Sequence, residues 1–216
     1  MSRYHLLHPI GKGGMGTVWE ARRILPGGDE MRVACKCLRG KRLGERKYLE
    51  LFRKEAAVSL QVTNGHPGLI TVYDCLQDRH HNETQIYIIM ELIRGCSLAA
   101  LLREYQSFSP ATAGYIATHL MDALDYLHSR GIMHRDIAPA NILIDRQGTL
   151  KLADLGLATW LTSAPVHDGH IRGTPGYISP EACHGLAVDP RSDLYSAGAV
   201  LYHLLQGVAP SGSGGT

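Results

Sequence analysis

His134-Arg135-Asp136-Ile137-Ala138-Pro139-Ala140-Asn141, followed by Asp154-Leu155-Gly156, is the most specific constellation of reactive side chains in the chain. It supplies one carboxylate able to orient a hydroxyl and take its proton. An amide oxygen and a second carboxylate are hard oxygen ligands suited to magnesium. Far upstream, Gly11-Lys12-Gly13-Gly14-Met15-Gly16-Thr17-Val18 contains G-x-G-x-x-G, and Val33-Ala34-Cys35-Lys36 places an ammonium shortly after it. The glycine string alone is ambiguous: it serves a dinucleotide-binding turn, a hairpin over phosphates, or a plain glycine-rich turn. Thr17-Val18-Trp19-Glu20-Ala21 continues as strand, which favours the hairpin, and G-x-x-x-x-G-K-[ST] is absent. Lys36 would then face the phosphates with Glu55 aiming it, although a lone strand lysine is ordinarily just solvated and Glu45 and Glu50 compete as exposed helix charges. Positioned reactants plus positive charge are most of what phosphoryl transfer requires.

Elements must bring these scattered groups together. His5 to Ile10, Thr17 to Arg23 and Arg32 to Leu38 read as an antiparallel meander, turned at Pro26-Gly27-Gly28-Asp29. Leu49, Phe52, Ala56 and Leu60 recur at helical spacing and predict one amphipathic helix from Glu45 to Val62. Leu69 to Asp74 and Gln85 to Leu92 read as two further strands. After Gly95 the pattern turns helical: Leu98 to Glu104, then a long helix opened by Ser109-Pro110 and ended near Ser129 by Gly131. Its buried stripe is Ile116, Leu120, Leu124 and Leu127. Short strands at Ile142 to Ile144 and Leu150 to Leu152 precede a loop, and a last helix runs from near Arg191 to Gln206. The expected class is α+β.

Composition excludes several alternatives. The chain has 216 residues, 44% hydrophobic and 19% charged, with a formal charge of +2; disorder and coiled coil do not fit, and nucleic acid is not an expected partner. Five cysteines without a C-x-x-C pair indicate neither a disulfide framework nor a zinc ribbon, so a reducing, cytoplasmic setting is expected. No stretch reads as a signal peptide or membrane span. His80-His81 reads as a solvated hairpin loop rather than a metal site, and Cys35 and Cys37 are expected to face opposite sides of their strand.

Together with Gly173-Thr174-Pro175-Gly176-Tyr177-Ile178-Ser179-Pro180-Glu181 and Asp193-Leu194-Tyr195-Ser196-Ala197-Gly198, these motifs, in this order from about Tyr4 to Pro210, resemble the eukaryotic-type protein kinase family. The G-K-G-G-M-G-T-V wording is similar to its bacterial serine/threonine members. The resemblance implies a bilobal fold: a β-rich N-lobe over residues 1–93, a mostly helical and incomplete C-lobe over 94–210, and a linker-like tail over 211–216. It implies ATP and Mg2+, with Gly11, Gly13 and Gly16 in the glycine-rich loop, Lys36 on the α/β-phosphates and Glu55 holding Lys36. Asp136 would be the catalytic base, and Asn141 and Asp154 the metal ligands. Val18, Ala34 and Leu143 would sandwich adenine, with Met90 as gatekeeper and Glu91 and Ile93 offering hinge backbone groups. Thr174 approaching Asp136 implies a protein Ser/Thr hydroxyl as acceptor. Arg135 suggests an activation segment ordered by phosphate, with Thr159, Thr162 and Ser163 as candidates.

The sequence also departs from that family. Its serine/threonine branch carries Lys where this chain has Ala138, and the Arg that tyrosine kinases place two residues further on is Ala140 here. One missing preorganised cation corresponds to about 2.7–4 kcal/mol of transition-state stabilisation, by analogy with an oxyanion donor. Leu155 replaces the usual Phe. The helices that ordinarily follow Gln206 are missing, one of them carrying an Arg that pairs with the equivalent of Glu181, so a truncated domain with an uncompensated Glu181 is expected. These departures motivate the alternative of a pseudokinase-like module that binds nucleotide or a partner without turnover.

Overall fold

The structure is a computed structural model that describes residues 3–12, 16–38, 57–58, 60–62, 65–80, 83–155, 158–160 and 173–210. The described residues form two compact units. Those up to Val62 and from Ile70 to Ile93 make the first; Gly65–Leu69 and the chain from Arg94 onward make the second.

The first unit is an antiparallel sheet of β1 (Tyr4–Lys12), β2 (Gly16–Ile24), β3 (Glu30–Leu38), β4 (Val72–His80) and β5 (Glu83–Glu91), in the order β1-β2-β3-β5-β4. The β2–β3 turn is closed by Leu25 N–H to Asp29 O at 2.8 Å, with Gly27 and Gly28 at φ 109° and 94°, where a side chain would be strained. One sheet face is apolar: Tyr4, Ala21, Val33, Cys35, Tyr87 and Ile89 are buried, with Trp19, Met31, Cys37 and Leu76 packed against them. Cys35 and Cys37 therefore share a face, contrary to the expectation from sequence, because strand side chains alternate with period two and residues i and i+2 point the same way.

Two other expectations change. The fourth strand starts at Val72, not Leu69; Leu69 instead bridges Leu152 of the second unit in parallel. Residues 65–69, placed in the first lobe by the sequence reading, group with the second unit, bonded by Leu152 N–H to Gly68 O at 2.7 Å and His66 Nε2 against Asp122 at 3.1 Å. Of the predicted Glu45–Val62 helix, residues 57–58 and 60–62 are described and helical. Their buried side chains are Val58 and Val62, one turn apart, whereas Leu60 is 41% exposed on another side of the helix.

The second unit comprises β6 (Gly95–Ser97), α1 (Leu98–Tyr105), α2 (Pro110–Ser129), β7 (Ile132–Met133), a 3-10 turn (Pro139–Asn141), β8 (Ile142–Asp145), β9 (Leu150–Leu152), β10 (Thr159–Trp160), α3 (Pro180–Cys183) and α4 (Pro190–Gln206). Strands β6, β8 and β9 form one sheet and β10 pairs with β7. Ser109 caps α2 by accepting from Thr112 N–H, with Pro110 in the first turn. The face of α2 carrying Ile116, Leu120, Leu124 and Leu127 is buried, and α2 packs on α4. Helix α4 is capped by Asp189 and stopped by Gly207 in the left-handed region at φ 76°. It buries Ala197, Ala199, Val200 and Leu204 and exposes Leu194, Tyr195, Tyr202 and Leu205. Among the described residues no helix is long and apolar enough to cross a membrane.

Candidate active site

In the first unit, strand register lines up Gly11, Val18, Lys36 and Ile88 across four neighbouring strands. Directly paired residues project to one face, and so do residues two apart. Ala34, which pairs with Met90, therefore joins Lys36 on the face opposite the Cys35 core. Lys36 is 7% exposed. Gly16 begins β2 opposite Leu38, and Gly13 and Glu55 lie outside the described residues. Glu91 ends β5; its N–H donates to Thr71 O at 2.9 Å and its Oε1 accepts from Thr71 N–H at 2.6 Å. Its side chain and its N–H are thus both engaged by Thr71, and Ile93, two residues on, is half-buried.

In the second unit, hydrogen bonds gather Asp136, Asn141 and Thr174. The Thr174 hydroxyl donates to Asp136 Oδ1 at 2.7 Å, and Asn141 Nδ2 donates to Asp136 Oδ2 and to the Asp136 carbonyl, each at 2.9 Å. Both carboxylate oxygens are thereby fixed in direction by short, charge-assisted contacts. With its nitrogen committed, the Asn141 amide presents its oxygen away from Asp136, the atom a hard cation would take. Asn141 O also accepts from Ala153 N–H at 2.8 Å, tying the residue before Asp154 to the 3-10 turn. Half-buried Leu143, on β8, pairs with Ser97 and Lys151.

Two residues to which the sequence reading gave no role hold this loop in place. His134 is fully buried; its Nδ1 accepts from Asp136 N–H at 3.3 Å and its Nε2 lies 3.1 Å from Ala153 O. An N–H facing one nitrogen and a carbonyl facing the other fix the tautomer with its proton on Nε2. Asp193, 1% exposed in the first turn of α4, accepts from His134 N–H at 2.9 Å, Arg135 N–H at 2.8 Å and His128 Nε2 at 2.8 Å. Asp193 opens the Asp193–Gly198 motif quoted above, but the motif alone did not say what its carboxylate bonds. Arg135 and Asp154 adopt φ 68° and 66°, unusual for residues with side chains.

Thr174 reaches Asp136 from a tight turn. Tyr177 N–H donates to Thr174 O at 3.1 Å, Pro175 follows Thr174, and Gly176 has φ 87°, the pattern of a type II turn. Gly173, at φ 123°, passes so close that a Cβ there would lie 3.4 Å from Arg135 O. Further on, Glu181 is not left without a partner: the Ser192 hydroxyl donates to it. Burial pushes its carboxyl up, but bonds from Ser192, its own N–H and Ser179 together outweigh that and lower it.

Ala138 is fully buried and extended, and Leu155 is 2% exposed. Lys151 Nζ lies 3.4 Å from Leu69 O. Thr159 pairs through its backbone with Met133, while Thr162 and Ser163 lie outside the described residues. Among the described residues no group of three or more His, Cys, Asp or Glu side chains could hold a metal ion.

Comparison with known proteins gives a match to the protein kinase domain family over residues 4–215. A "probable serine/threonine-protein kinase" of Corynebacterium efficiens is 38% identical over 211 residues, 96% of this chain and 31% of that protein. Serine/threonine-protein kinase PknA of Mycobacterium tuberculosis is 36% identical over 210 residues, 96% of this chain and 48% of its own length. Serine/threonine-protein kinase PrkC of Bacillus subtilis is 34% identical over 209 residues, again 96% of this chain and 31% of the relative. The chain thus spans 31% to 48% of the length of these relatives.

Proposed function

This chain belongs to the protein kinase domain family, and we propose that it transfers the γ-phosphoryl group of ATP to a serine or threonine hydroxyl of a protein. The observation that carries the proposal is the Thr174–Asp136–Asn141 cluster, a carboxylate with both oxygens aimed by donors. An acceptor hydroxyl approaches the Asp136 carboxylate, which Thr174 and Asn141 hold in orientation, and gives up its proton there. Its oxygen bonds to the γ-phosphorus while the bond from that phosphorus to the β,γ-bridging oxygen breaks, and ADP leaves with the electron pair. His134 and Asp193 hold the loop so that the carboxylate does not reorient during the step.

Asn141 and Asp154 are the residues that would hold a divalent cation, which we take to be magnesium; bound, it neutralises charge on the phosphates. We assign the α/β-phosphates to Lys36 and the glycine-rich loop of Gly11, Gly13 and Gly16, with Glu55 holding Lys36. Val18, Ala34 and Leu143 are assigned to adenine, Met90 to the gatekeeper position, and the backbones of Glu91 and Ile93 to the hinge. The serine/threonine names of the relatives support the acceptor class. Free thiols at Cys35, Cys37, Cys75, Cys96 and Cys183 support a reducing, cytoplasmic setting.

Purified chain incubated with γ-labelled ATP, Mg2+ and a generic basic protein tests this, with Asp154→Ala as control. Label should appear on acceptor serine or threonine with the wild-type chain and fall to background with the variant. Equal incorporation by both removes the enzymatic reading. Thermal stabilisation by ATP without any transfer favours the binding-module alternative that Ala138 motivates.

A further inference from the structure

Tyr177, the last residue of the turn that delivers Thr174, is 8% exposed, and its hydroxyl lies 2.5 Å from His203 Nδ1 near the end of α4. The two rings are stacked, with centroids 6.1 Å apart and planes inclined by 24°. Gly176 of the same turn faces the chain that leaves α4: a Cβ there would lie 3.5 Å from Ala209 Cβ and 3.6 Å from Pro210 O. The turn is thus tied to the end of α4 by one side-chain hydrogen bond, with Gly176 facing the segment that follows the helix. At its other end, Thr174 Oγ1 meets Asp136 at 2.7 Å.

We infer that Tyr177 and His203 are positioning residues: their contact anchors the Thr174–Tyr177 turn to α4 and so keeps the Thr174 hydroxyl on the Asp136 carboxylate. The inference rests on the proposed transfer reaction for its kinetic consequence, but not for its structural one. The chain of contacts is short. His203 fixes the Tyr177 hydroxyl; Tyr177 N–H closes the turn on Thr174 O; Thr174 touches the base. A neutral imidazole with its proton on Nε2 accepts from the phenol, and burial lowers the His203 pKa in the direction that keeps the ring neutral. Burial likewise raises the Tyr177 phenol, which stays protonated and able to donate.

The contact is built for acceptor placement rather than nucleotide binding. It touches the segment that brings a hydroxyl to Asp136, and none of the residues assigned to ATP. Losing it leaves the base intact but lets the turn shift, and a displacement of about an ångström in a reacting group is enough to slow transfer.

The test uses the full chain as wild type, His203→Ala, His203→Asn, Tyr177→Phe and the double variant His203→Ala/Tyr177→Phe. Asn places an amide oxygen where Nδ1 stood and serves as the rescue. Steady-state transfer from ATP to a basic protein should show kcat/KM for the acceptor lowered about three- to tenfold in His203→Ala and in Tyr177→Phe, the range one lost hydrogen bond produces. KM for ATP should not change, the double variant should be no worse than either single one, and His203→Asn should recover most of the loss. Amide exchange, read in parallel, should quicken at Tyr177 in His203→Ala, remain unchanged in α2, and return in His203→Asn. Additive losses, a matching rise in KM for ATP, or unchanged exchange at Tyr177 overturns the inference. Should the wild-type chain transfer no phosphate, the functional reading fails, and the exchange measurement alone upholds or overturns the anchor.

Discussion

Replacing Asp193 with alanine removes one side chain and strands three donors. His134 N–H, Arg135 N–H and His128 Nε2 all converge on its carboxylate at 2.8 to 2.9 Å, in a place where Asp193 is 1% and His134 0% exposed. An orphaned buried N–H costs about 1–3 kcal/mol. Two backbone donors therefore put the loss at about 2–6 kcal/mol, with the His128 contact adding little because that ring is partly exposed. Asp193→Asn keeps one acceptor oxygen but turns an NH2 toward a remaining donor, so it should fall between alanine and wild type. For a chain of this length each kcal/mol moves the midpoint about 2–4 °C, which places Asp193→Ala about 10 °C below wild type in thermal unfolding followed by circular dichroism. Transfer activity measured well below that midpoint should also drop, because Arg135 holds φ 68° against its own steric preference with Asp193 bonded to its N–H. An alanine variant within about 1 kcal/mol of wild type, or one that loses stability while keeping full activity when folded, would refute the reasoning.

Gly95→Ala should destabilise the β6–β8 pair, because a Cβ would lie 1.9 Å from Ile144 O and 2.6 Å from Asp145 Cα, both backbone atoms that cannot swing aside; urea unfolding should show a lower midpoint than Gly114→Ala, where a Cβ meets nothing within 4 Å. Glu181, whose pKa is lowered below its ordinary 4.5, contributes stability that is present above that value and lost as pH falls through the folded pKa. Ser192→Ala removes the hydroxyl that donates to it, so the thermal midpoint at neutral pH should fall and the gap to wild type should close as pH drops below the folded pKa; a gap of equal size at every pH would count against that bond.

What the sequence showed and what it hid divide along a physical line. Helix α2 was legible from end to end because its signals are local: Ser109 and Pro110 at one end, Gly131 at the other, and apolar residues one turn apart between them. Strands β1 to β3 were legible for the same reason, with a glycine turn between alternating residues. Strands β6, β7 and β10, two or three residues each, form by pairing with a segment distant in sequence, and no local pattern announces that. The start of β4 was misplaced because Leu69 is as apolar as a strand residue but bridges Leu152. In the site, Asp136, Asn141 and Thr174 could be singled out because motif spacing marks them. His134 and Asp193 lie in quoted motifs too, but their roles, like that of His203, which no motif marks, act through bonds to backbone or to another side chain and follow from burial that a sequence does not display.

The same bonds explain where strain is kept. Among the described residues, the non-glycine positions with positive φ are Gln106, Arg135 and Asp154; Arg135 directly precedes Asp136, and Asp154 itself carries the second carboxylate proposed to act. Each such conformation costs about 1–2 kcal/mol relative to the right-handed alternative, so it persists only where the surroundings over-determine it. For Arg135 the over-determination is visible: Asp193 takes its N–H and that of His134, while His134 takes the N–H of Asp136 and faces Ala153 O. Ala153 in turn is bonded to Asn141, and Asp154 follows it at once in the chain. Relaxing Arg135 would withdraw an acceptor from His134, shift Asp136, and loosen the link to Asp154 together, so the two strained residues are coupled through one buried imidazole. A double-mutant cycle between Asp193→Asn and His134→Gln should therefore be strongly non-additive in stability; additive losses would mean that the two strained positions are held independently.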